Sequence, residues 1–284
     1  MATSERPPGQ VSDAQLRYRP SEADRRLVAA ALAPWRALTD PRFYNLDRIA
    51  AEGAVLLVGN HTVFGMLDMP LMLGEIHRVT GRFVRGMADH AHFAVPVWRD
   101  VLVRQGGVRG TRDNCRALLA AGEAVLVYPG GGREVAKRKG EKYQLLWKER
   151  VGFARLAIEA GCPIVPFGAV GAEESYDILL DADSPVLAPI RGLVERAGGR
   201  WELIPPLVRG LGPTLLPRPE RFYFAFGEPI DSRAWAGQGE DGVRALRNEV
   251  RRAVQERIAF LLAERDADPD RDPLSRARRR SGKT

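Results

Sequence analysis

The chain of 284 residues is poor in cysteine and in long apolar runs. Its two cysteines, Cys115 and Cys162, are too few and too far apart for a disulfide framework or a zinc site. No stretch reaches the roughly 18 uncharged apolar residues of a membrane span, and the amino terminus lacks the apolar core of a secretory signal. These absences predict a cytoplasmic setting in which any membrane contact is peripheral.

Two further absences exclude function classes. The sequence contains no Gly-x-Ser-x-Gly elbow, so it lacks the nucleophile turn of the serine hydrolases. The formal charge is +7, but five of the positive charges lie in the last nine residues: Arg276, Arg278, Arg279, Arg280 and Lys283. The rest of the chain is only mildly basic and has no basic stripe with aromatic platforms, so we expect no nucleic-acid partner.

Apolar runs and helical periodicity alternate through most of the sequence. The pattern predicts strands at 54–59, 82–86, 124–128, 163–167 and 221–226, and helices at 21–38, 70–79, 113–121, 147–160 and 242–263. Strand, helix, strand in this order implies parallel pairing through right-handed crossovers. We therefore predict a single α/β domain with a mainly parallel central sheet flanked by helices.

The composition also predicts how the chain is divided. A polar arm rich in Pro and Arg precedes the domain, a Pro-rich excursion interrupts it, and a basic segment follows it. The predicted parts are a flexible arm at 1–20, a domain at 21–263 with its core motifs at 54–171, the excursion at 179–219, a closing strand and helix at 221–263, and a basic disordered tail at 264–284.

A histidine and an aspartate follow the first predicted strand. His61 comes directly after the apolar run that ends at Gly59, and Asp68 lies seven residues further on. A histidine titrates near neutrality and can take a proton from an attacking hydroxyl, while a carboxylate can hold its ring in the right tautomer. The pair predicts acid–base chemistry that needs no metal.

Two glycine-rich turns follow, the first leading into a predicted helix and the second directly after a predicted strand. The first is Gly106-Gly-Val-Arg-Gly-Thr-Arg112, where backbone N–H groups and arginines favour an anion. The second is Tyr128-Pro-Gly130-Gly131-Gly132-Arg133-Glu134, where three glycines allow a ligand to approach the backbone and Arg133 can reach a phosphate or an oxyanion.

In their order and spacing these blocks resemble those of the phospholipid/glycerol acyltransferase superfamily, over roughly residues 45–262. Asn60-His61 resembles its Asn-His-x4-Asp block, Gly106 to Arg112 its Gly-x-Ile-x3-Arg block, and Tyr128 to Arg133 its Phe-Pro-Glu-Gly-Thr-Arg block. A fourth block, a Val-Pro-Ile-Val-Pro-like strand, is similar to Pro163 to Pro166. The resemblance implies an acyltransferase fold and activity.

The chain departs from the family pattern at two positions. Met66 stands where the family has its aspartate, so Asp68 is the predicted replacement and Glu134 the reserve candidate for orienting His61. Gly130 stands where the family has the glutamate that helps bind a polar acceptor. With a glycine at this position, the chain resembles the branch of diacylglycerol acyltransferases of the second type and phytyl-ester synthases. This resemblance implies a neutral, apolar acceptor.

The resemblance predicts transfer of a fatty acyl group from acyl-CoA or acyl-carrier protein, as co-substrate, to a hydroxyl of a lysophospholipid, an acylglycerol or a long-chain alcohol. His61 and Asp68 are the predicted catalytic residues. The predicted substrate-binding residues are Gly106, Arg112, Gly130, Gly131, Gly132, Arg133 and Glu134. No metal or cofactor is expected. Thioester hydrolysis by the same histidine and lipid binding without catalysis remain as alternatives.

A lipid acceptor also predicts peripheral contact with the inner membrane face. The candidate surfaces are 93–98, the apolar part of the excursion at 203–216 and the basic tail. Core is the alternative for each of them.

Overall fold

The computed structural model describes residues 12–281. The helices are α1 (Asp13–Arg17), α2 (Glu22–Thr39), α3 (Met69–Thr80), α4 (Pro96–Arg104), α5 (Arg112–Ala120), α6 (Gly132–Val135), α7 (Gly152–Ala160), α8 (Ala188–Arg196), α9 (Gly239–Ala267) and α10 (Pro273–Ser281). The strands are β1 (Arg42–Tyr44), β2 (Val55–Gly59), β3 (Val84–Ala88), β4 (Val108–Arg109), β5 (Ala124–Val127), β6 (Ile164–Val170), β7 (Asp177–Leu180), β8 (Leu207–Arg209) and β9 (Tyr223–Phe226).

Seven of these strands form the central sheet, in the order β1-β9-β6-β2-β5-β3-β4. Every neighbouring pair is parallel except β6 and β9. The predicted mainly parallel α/β fold is confirmed. Because β2, β3, β4, β5 and β6 run in one direction, the loops that follow them meet at one edge of the sheet, where ligands bind in such folds.

Helices cover both faces of the sheet, which explains why its central strands are apolar on both sides. On one face the buried side of α9, including Val250 and Val254, packs with α5 and α7 against the sheet. On the other face Met72 and Ile76 of α3 and the half-buried Trp35 of α2 form a second apolar cluster with the strands. The result is a three-layer domain whose core is split by the sheet.

Helix α7 begins later than its apolar pattern predicted. The prediction placed its start at residue 147, whereas the structure begins the helix at Gly152. Lys148 has a φ of 50°, in the left-handed region, so a right-handed helix cannot pass through it. Trp147 is buried in the core instead of lying in the first helical turn.

The tail predicted to be disordered is largely helical. Helix α9 continues to Ala267, and α10 covers Pro273–Ser281. Buried Asp268 between them accepts hydrogen bonds from Arg221 at 2.8 Å and from the Tyr223 hydroxyl at 2.6 Å. Arg276, expected to be a free basic group, is buried and donates to three carbonyl oxygens. Lys283 lies outside the described residues.

The predicted flexible arm is packed against the domain in its described part. The Arg85 guanidinium is buried and donates to the carbonyls of Gln15 at 2.7 Å and Tyr18 at 3.0 Å. The Tyr18 hydroxyl donates to the Arg104 carbonyl at 3.1 Å. This segment is anchored because its backbone carbonyls accept hydrogen bonds from a buried cation. Composition does not reveal such an arrangement. Residues 1–11 lie outside the described part.

The Pro-rich excursion contains helix α8 and strand β8, which pairs with β7 in a separate two-stranded sheet. Val208 of β8 packs on Val63 and Tyr176, so this small sheet adjoins the loop after β2. Across residues 12–281, no helix combines the length and the apolar character needed to cross a bilayer.

Candidate active site

The loop after β2 is anchored by Asn60. Its amide nitrogen donates to the Ala169 carbonyl at 2.9 Å, and its amide oxygen accepts from the Ala169 N–H at 2.8 Å. This two-way bond continues the β2–β6 pairing past the end of β2, where the strand would otherwise fray. His61, the next residue, is thereby held at the carboxyl edge of the sheet.

Packing holds the His61 imidazole in place. One face of the ring stacks on Tyr128, with centroids 4.0 Å apart and an interplanar angle of 18°. Its Cε1 atom lies over Gly65, where an added Cβ would be only 1.9 Å away. Gly65 also has a φ of 60°, which glycine adopts without strain. The Tyr128 ring on one face and the Gly65 backbone beside it fix the orientation of the imidazole.

The environment of His61 keeps the imidazole neutral. Burial lowers its pKa to about 3, and the nearby Lys137 and His92 act in the same direction. Lys137 is itself buried and pairs with Glu173. A neutral imidazole has a free nitrogen lone pair, which is the form that a general base requires.

The predicted contact between Asp68 and the His61 ring is not formed. Asp68 is the N-cap of α3, and its Oδ1 accepts hydrogen bonds from the Met69 N–H at 2.8 Å and from the Thr62 hydroxyl at 2.9 Å. Within residues 12–281 no group forms a hydrogen bond with the His61 ring. The Asp68 carboxylate shapes the turn that carries Gly65; its assignment as the partner of the ring is corrected.

Glu134, the reserve candidate, contacts the main chain of His61 and not its ring. The side chain is fully buried; Oε2 accepts from the His61 N–H at 2.9 Å and Oε1 from the Leu146 N–H at 2.8 Å. Both carboxylate oxygens are therefore occupied by the protein. Glu134 ties the loop after β2 to the segment that precedes α7, and its contact with substrate stays a prediction.

The same contact explains Gly130. A Cβ added to Gly130 would lie 2.1 Å from Cδ of Glu134. The carboxylate of Glu134 thus fills the space into which a side chain at position 130 would point. A glutamate at position 130, as in the family pattern, and the present position of Glu134 exclude each other.

Glu134 predicts a pH dependence of stability. Burial raises the pKa of its carboxyl from 4.5 to about 7. The folded protein therefore binds a proton that the unfolded chain has lost in this window, and this stabilising contribution is present below about pH 4.5 and lost as the pH rises through 7. Glu134→Gln removes the titration.

We expect the free energy of unfolding of the unmodified protein to fall, relative to that of Glu134→Gln, between about pH 5 and pH 8. Urea unfolding of both proteins at the two pH values measures this difference. Parallel behaviour of the two proteins would contradict the environment described for Glu134.

Some backbone groups of the glycine turn after β5 form hydrogen bonds within the protein. The Gly131 N–H donates to the Tyr128 carbonyl at 2.9 Å, so it is unavailable to a ligand. The Arg150 guanidinium donates to the Gly130 carbonyl at 2.6 Å and braces the turn from outside. Gly132 lies against Leu203 of the excursion, which would be 3.3 Å from an added Cβ. The role of these glycines in binding substrate remains a prediction.

The predicted anion-binding residues have different environments. Arg133 is buried and pairs with Glu141 at 2.5 and 2.9 Å, and its contact with a phosphate stays a prediction. Gly106 is covered by the Phe83 ring, and its carbonyl accepts from Arg85; its role in binding substrate stays a prediction. Arg112 is exposed at the start of α5, and no residue in the described part of the chain pairs with it. Of the two arginines, only Arg112 has a guanidinium without a partner among residues 12–281.

Residue patterns did not identify three parts of the site. Gly65 could have been noticed as a glycine close to the histidine, but its contact with the ring depends on the turn. Tyr128 lay within a predicted block without a role of its own. Lys137 carries no pattern that distinguishes it from a surface lysine, and only the fold shows that it is buried beside His61.

The chain is similar in sequence to several known proteins. Residues 40–170 match the family model described as Acyltransferase. The chain is 34% identical to phytyl ester synthase 2 of Arabidopsis thaliana over 254 residues, which cover 82% of the chain and 36% of that protein. It is 31% identical to a bovine "DGAT1/2-independent enzyme synthesizing storage lipids" over 133 residues, covering 47% of the chain and 39% of that protein.

Among solved structures, the chain is similar to the 1-acyl-sn-glycerophosphate acyltransferase PlsC of Thermotoga maritima. The identity is 18% and the TM-score 0.47, and the match covers 85% of this chain and 84% of PlsC. By contrast, the chain spans only about a third of the length of phytyl ester synthase 2.

Proposed function

We propose, from the premise that the chain belongs to the acyltransferase superfamily, that it transfers a fatty acyl group from a thioester donor to the hydroxyl of a neutral lipid. The observation that carries this proposal is the neutral His61 imidazole at the carboxyl edge of the sheet, clamped by packing and without a hydrogen-bond partner among residues 12–281.

In the proposed reaction, a nitrogen of His61 takes the proton of the acceptor hydroxyl. The hydroxyl oxygen forms a bond to the thioester carbon, and the carbonyl π electrons move to its oxygen. When this tetrahedral species collapses, the C–S bond breaks and the thiolate takes the proton from the imidazolium. The ester and the free thiol leave, and His61 is neutral again without a covalent acyl-enzyme.

The donor is acyl-CoA or acyl-carrier protein, and Arg112 is its proposed phosphate contact. The guanidinium is exposed and unpaired within the described residues, whereas Arg133 is taken by Glu141. Arginine is suited to phosphate because its planar fork can make two parallel hydrogen bonds.

The acceptor is proposed to be uncharged, either a long-chain alcohol or an acylglycerol. At the third motif the carboxylate of Glu134 fills the space above Gly130 and is satisfied by two backbone N–H groups. The motif therefore offers no free carboxylate for a polar headgroup. The plant relative's name, phytyl ester synthase, agrees with an alcohol acceptor.

The test is thiol release from long-chain acyl-CoA, with and without vesicles containing a phytol-like alcohol, a mono- or diacylglycerol, or a lysophospholipid. Release that depends on an alcohol or acylglycerol supports the proposal. Release without any acceptor would identify a thioesterase, and lipid binding without release would identify a binding protein.

The proposed acceptor lies in a membrane, and three segments of the domain expose aliphatic side chains that suit contact with lipid. Large aliphatic side chains are exposed on α4, α8 and the segment after β8: Val97, Val101, Ile190, Leu193, Leu211, Leu215 and Leu216. Leu203 of the same excursion touches Gly132 of the active-site turn. We therefore propose that these segments make the peripheral contact with the inner face of the cytoplasmic membrane.

Leu215→Ser is expected to weaken binding to vesicles about tenfold, because a leucine buried in lipid contributes about 1.5 to 3 kcal/mol. Cosedimentation with anionic vesicles measures the change. Leu27→Ser on α2 is the matched control, since Leu27 is 70% exposed and Leu215 67%. Equal effects of the two substitutions, or no sedimentation of the unmodified protein, would contradict the assigned surface.

A further inference from the structure

The Tyr128 hydroxyl lies in the candidate site and forms no hydrogen bond with the described residues. Its ring supports His61 from one side and packs edge-on against Phe167. Within the described residues no group forms a hydrogen bond with the hydroxyl, and the oxygen is not sealed from solvent. The family pattern has phenylalanine at this place in the motif, so stacking alone does not require the oxygen.

The position of the ring constrains where the hydroxyl can act. Because the two rings are nearly parallel and their centroids are 4.0 Å apart, the phenolic oxygen lies close to the imidazole. Burial raises the pKa of Tyr128 well above its ordinary value, and the neighbouring Asp68 and Glu134 carboxylates add to the effect. The phenol therefore stays protonated and able to donate.

We infer that, in the acyl transfer proposed above, on which this inference rests, the Tyr128 hydroxyl donates a hydrogen bond to the thioester carbonyl oxygen as it becomes an oxyanion. The glycine turn supplies fewer donors than expected because the Gly131 N–H is bonded to the Tyr128 carbonyl. Tyr128 thus has two tasks: its ring orients the base, and its hydroxyl stabilises the charge that the base creates.

Tyr128→Phe removes the donor and keeps the stack. Loss of one oxyanion donor typically lowers kcat by about 10² to 10³. We expect a loss in this range with an unchanged KM for the acyl donor and an unchanged melting temperature, because the hydroxyl has no partner in the described protein. Tyr143→Phe is the matched control.

The Tyr143 hydroxyl donates to Glu174 and accepts from the Gly171 N–H at 3.0 Å. Its removal is expected to lower the melting temperature and to leave kcat within about twofold, because a lost internal hydrogen bond is a cost in stability. The two variants should therefore show opposite patterns. An unchanged kcat in Tyr128→Phe would overturn the inference.

A second measurement separates this inference from the proposed function. The infrared band of a ¹³C-labelled thioester carbonyl, bound to His61→Ala so that turnover is blocked, reports the hydrogen bond directly. We expect a lower frequency with Tyr128 present than in the double variant that also carries Tyr128→Phe. Equal frequencies would overturn the role of the hydroxyl even if transfer is observed, and a shift without transfer in the unmodified protein would reject only the proposed function.

Discussion

His61→Ala is expected to lower the rate of acyl transfer by about 10³-fold, within the 10² to 10⁴ that a general base typically contributes. The imidazole is the only group that we assign to removing the proton of the acceptor. Asp68 is bonded to Thr62 and Met69, and Glu134 accepts two backbone N–H groups, so neither is free to replace it.

The fold should tolerate this substitution, because the ring is only partly buried and forms no hydrogen bond with residues 12–281. Unfolding midpoints check this point. His77→Ala is the control for loss of a histidine, since His77 lies on α3 and contacts the Arg82 carbonyl. If His61→Ala kept more than about a tenth of the activity, His61 would not be the base.

Gly65→Ala is expected to lower kcat by about 10²-fold. The new Cβ would lie 1.9 Å from Cε1 of His61, so the imidazole must move. A misplacement of about 1 Å in a catalytic group can cost about 10²-fold. The KM for the donor should change little, because the phosphate contact assigned to Arg112 is not altered.

The control must separate this collision from backbone strain, since alanine at a φ of 60° is strained wherever it occurs. Gly239 has the same φ, and a Cβ there would meet no atom within 4 Å. Both variants should lose about 1 kcal/mol or more of stability, but only Gly65→Ala should lose activity. A similar loss of kcat in both variants would refute the packing account of His61 orientation.

The regular parts of the fold could be predicted because their cause is local. The run at 55–59 is buried on both faces, and such strands are apolar throughout. Helix α9 shows its buried face through apolar residues at helical spacing. The start of α7 and the order of the tail could not be predicted in this way. They depend on the left-handed conformation of Lys148 and on the buried contacts of Asp268, which are set by tertiary structure.

In the candidate site, the position of His61 followed from its place after a strand, but its surroundings did not follow from spacing. Arg133 is paired with Glu141 across an irregular segment, so the motif alone could not show that its charge is already matched. Glu134 fills the space above Gly130 because α6 turns it back toward the strand ends. Both contacts depend on loops, for which sequence gives no periodic signal.

The most direct test of the central claim is mass spectrometry of the lipid formed from isotopically labelled acyl-CoA and vesicles that contain a long-chain alcohol. The account predicts a labelled ester with the unmodified protein, dependent on the alcohol and reduced by about 10³-fold in His61→Ala. Labelled ester formed equally well by His61→Ala, or labelled free fatty acid as the only product, would contradict it.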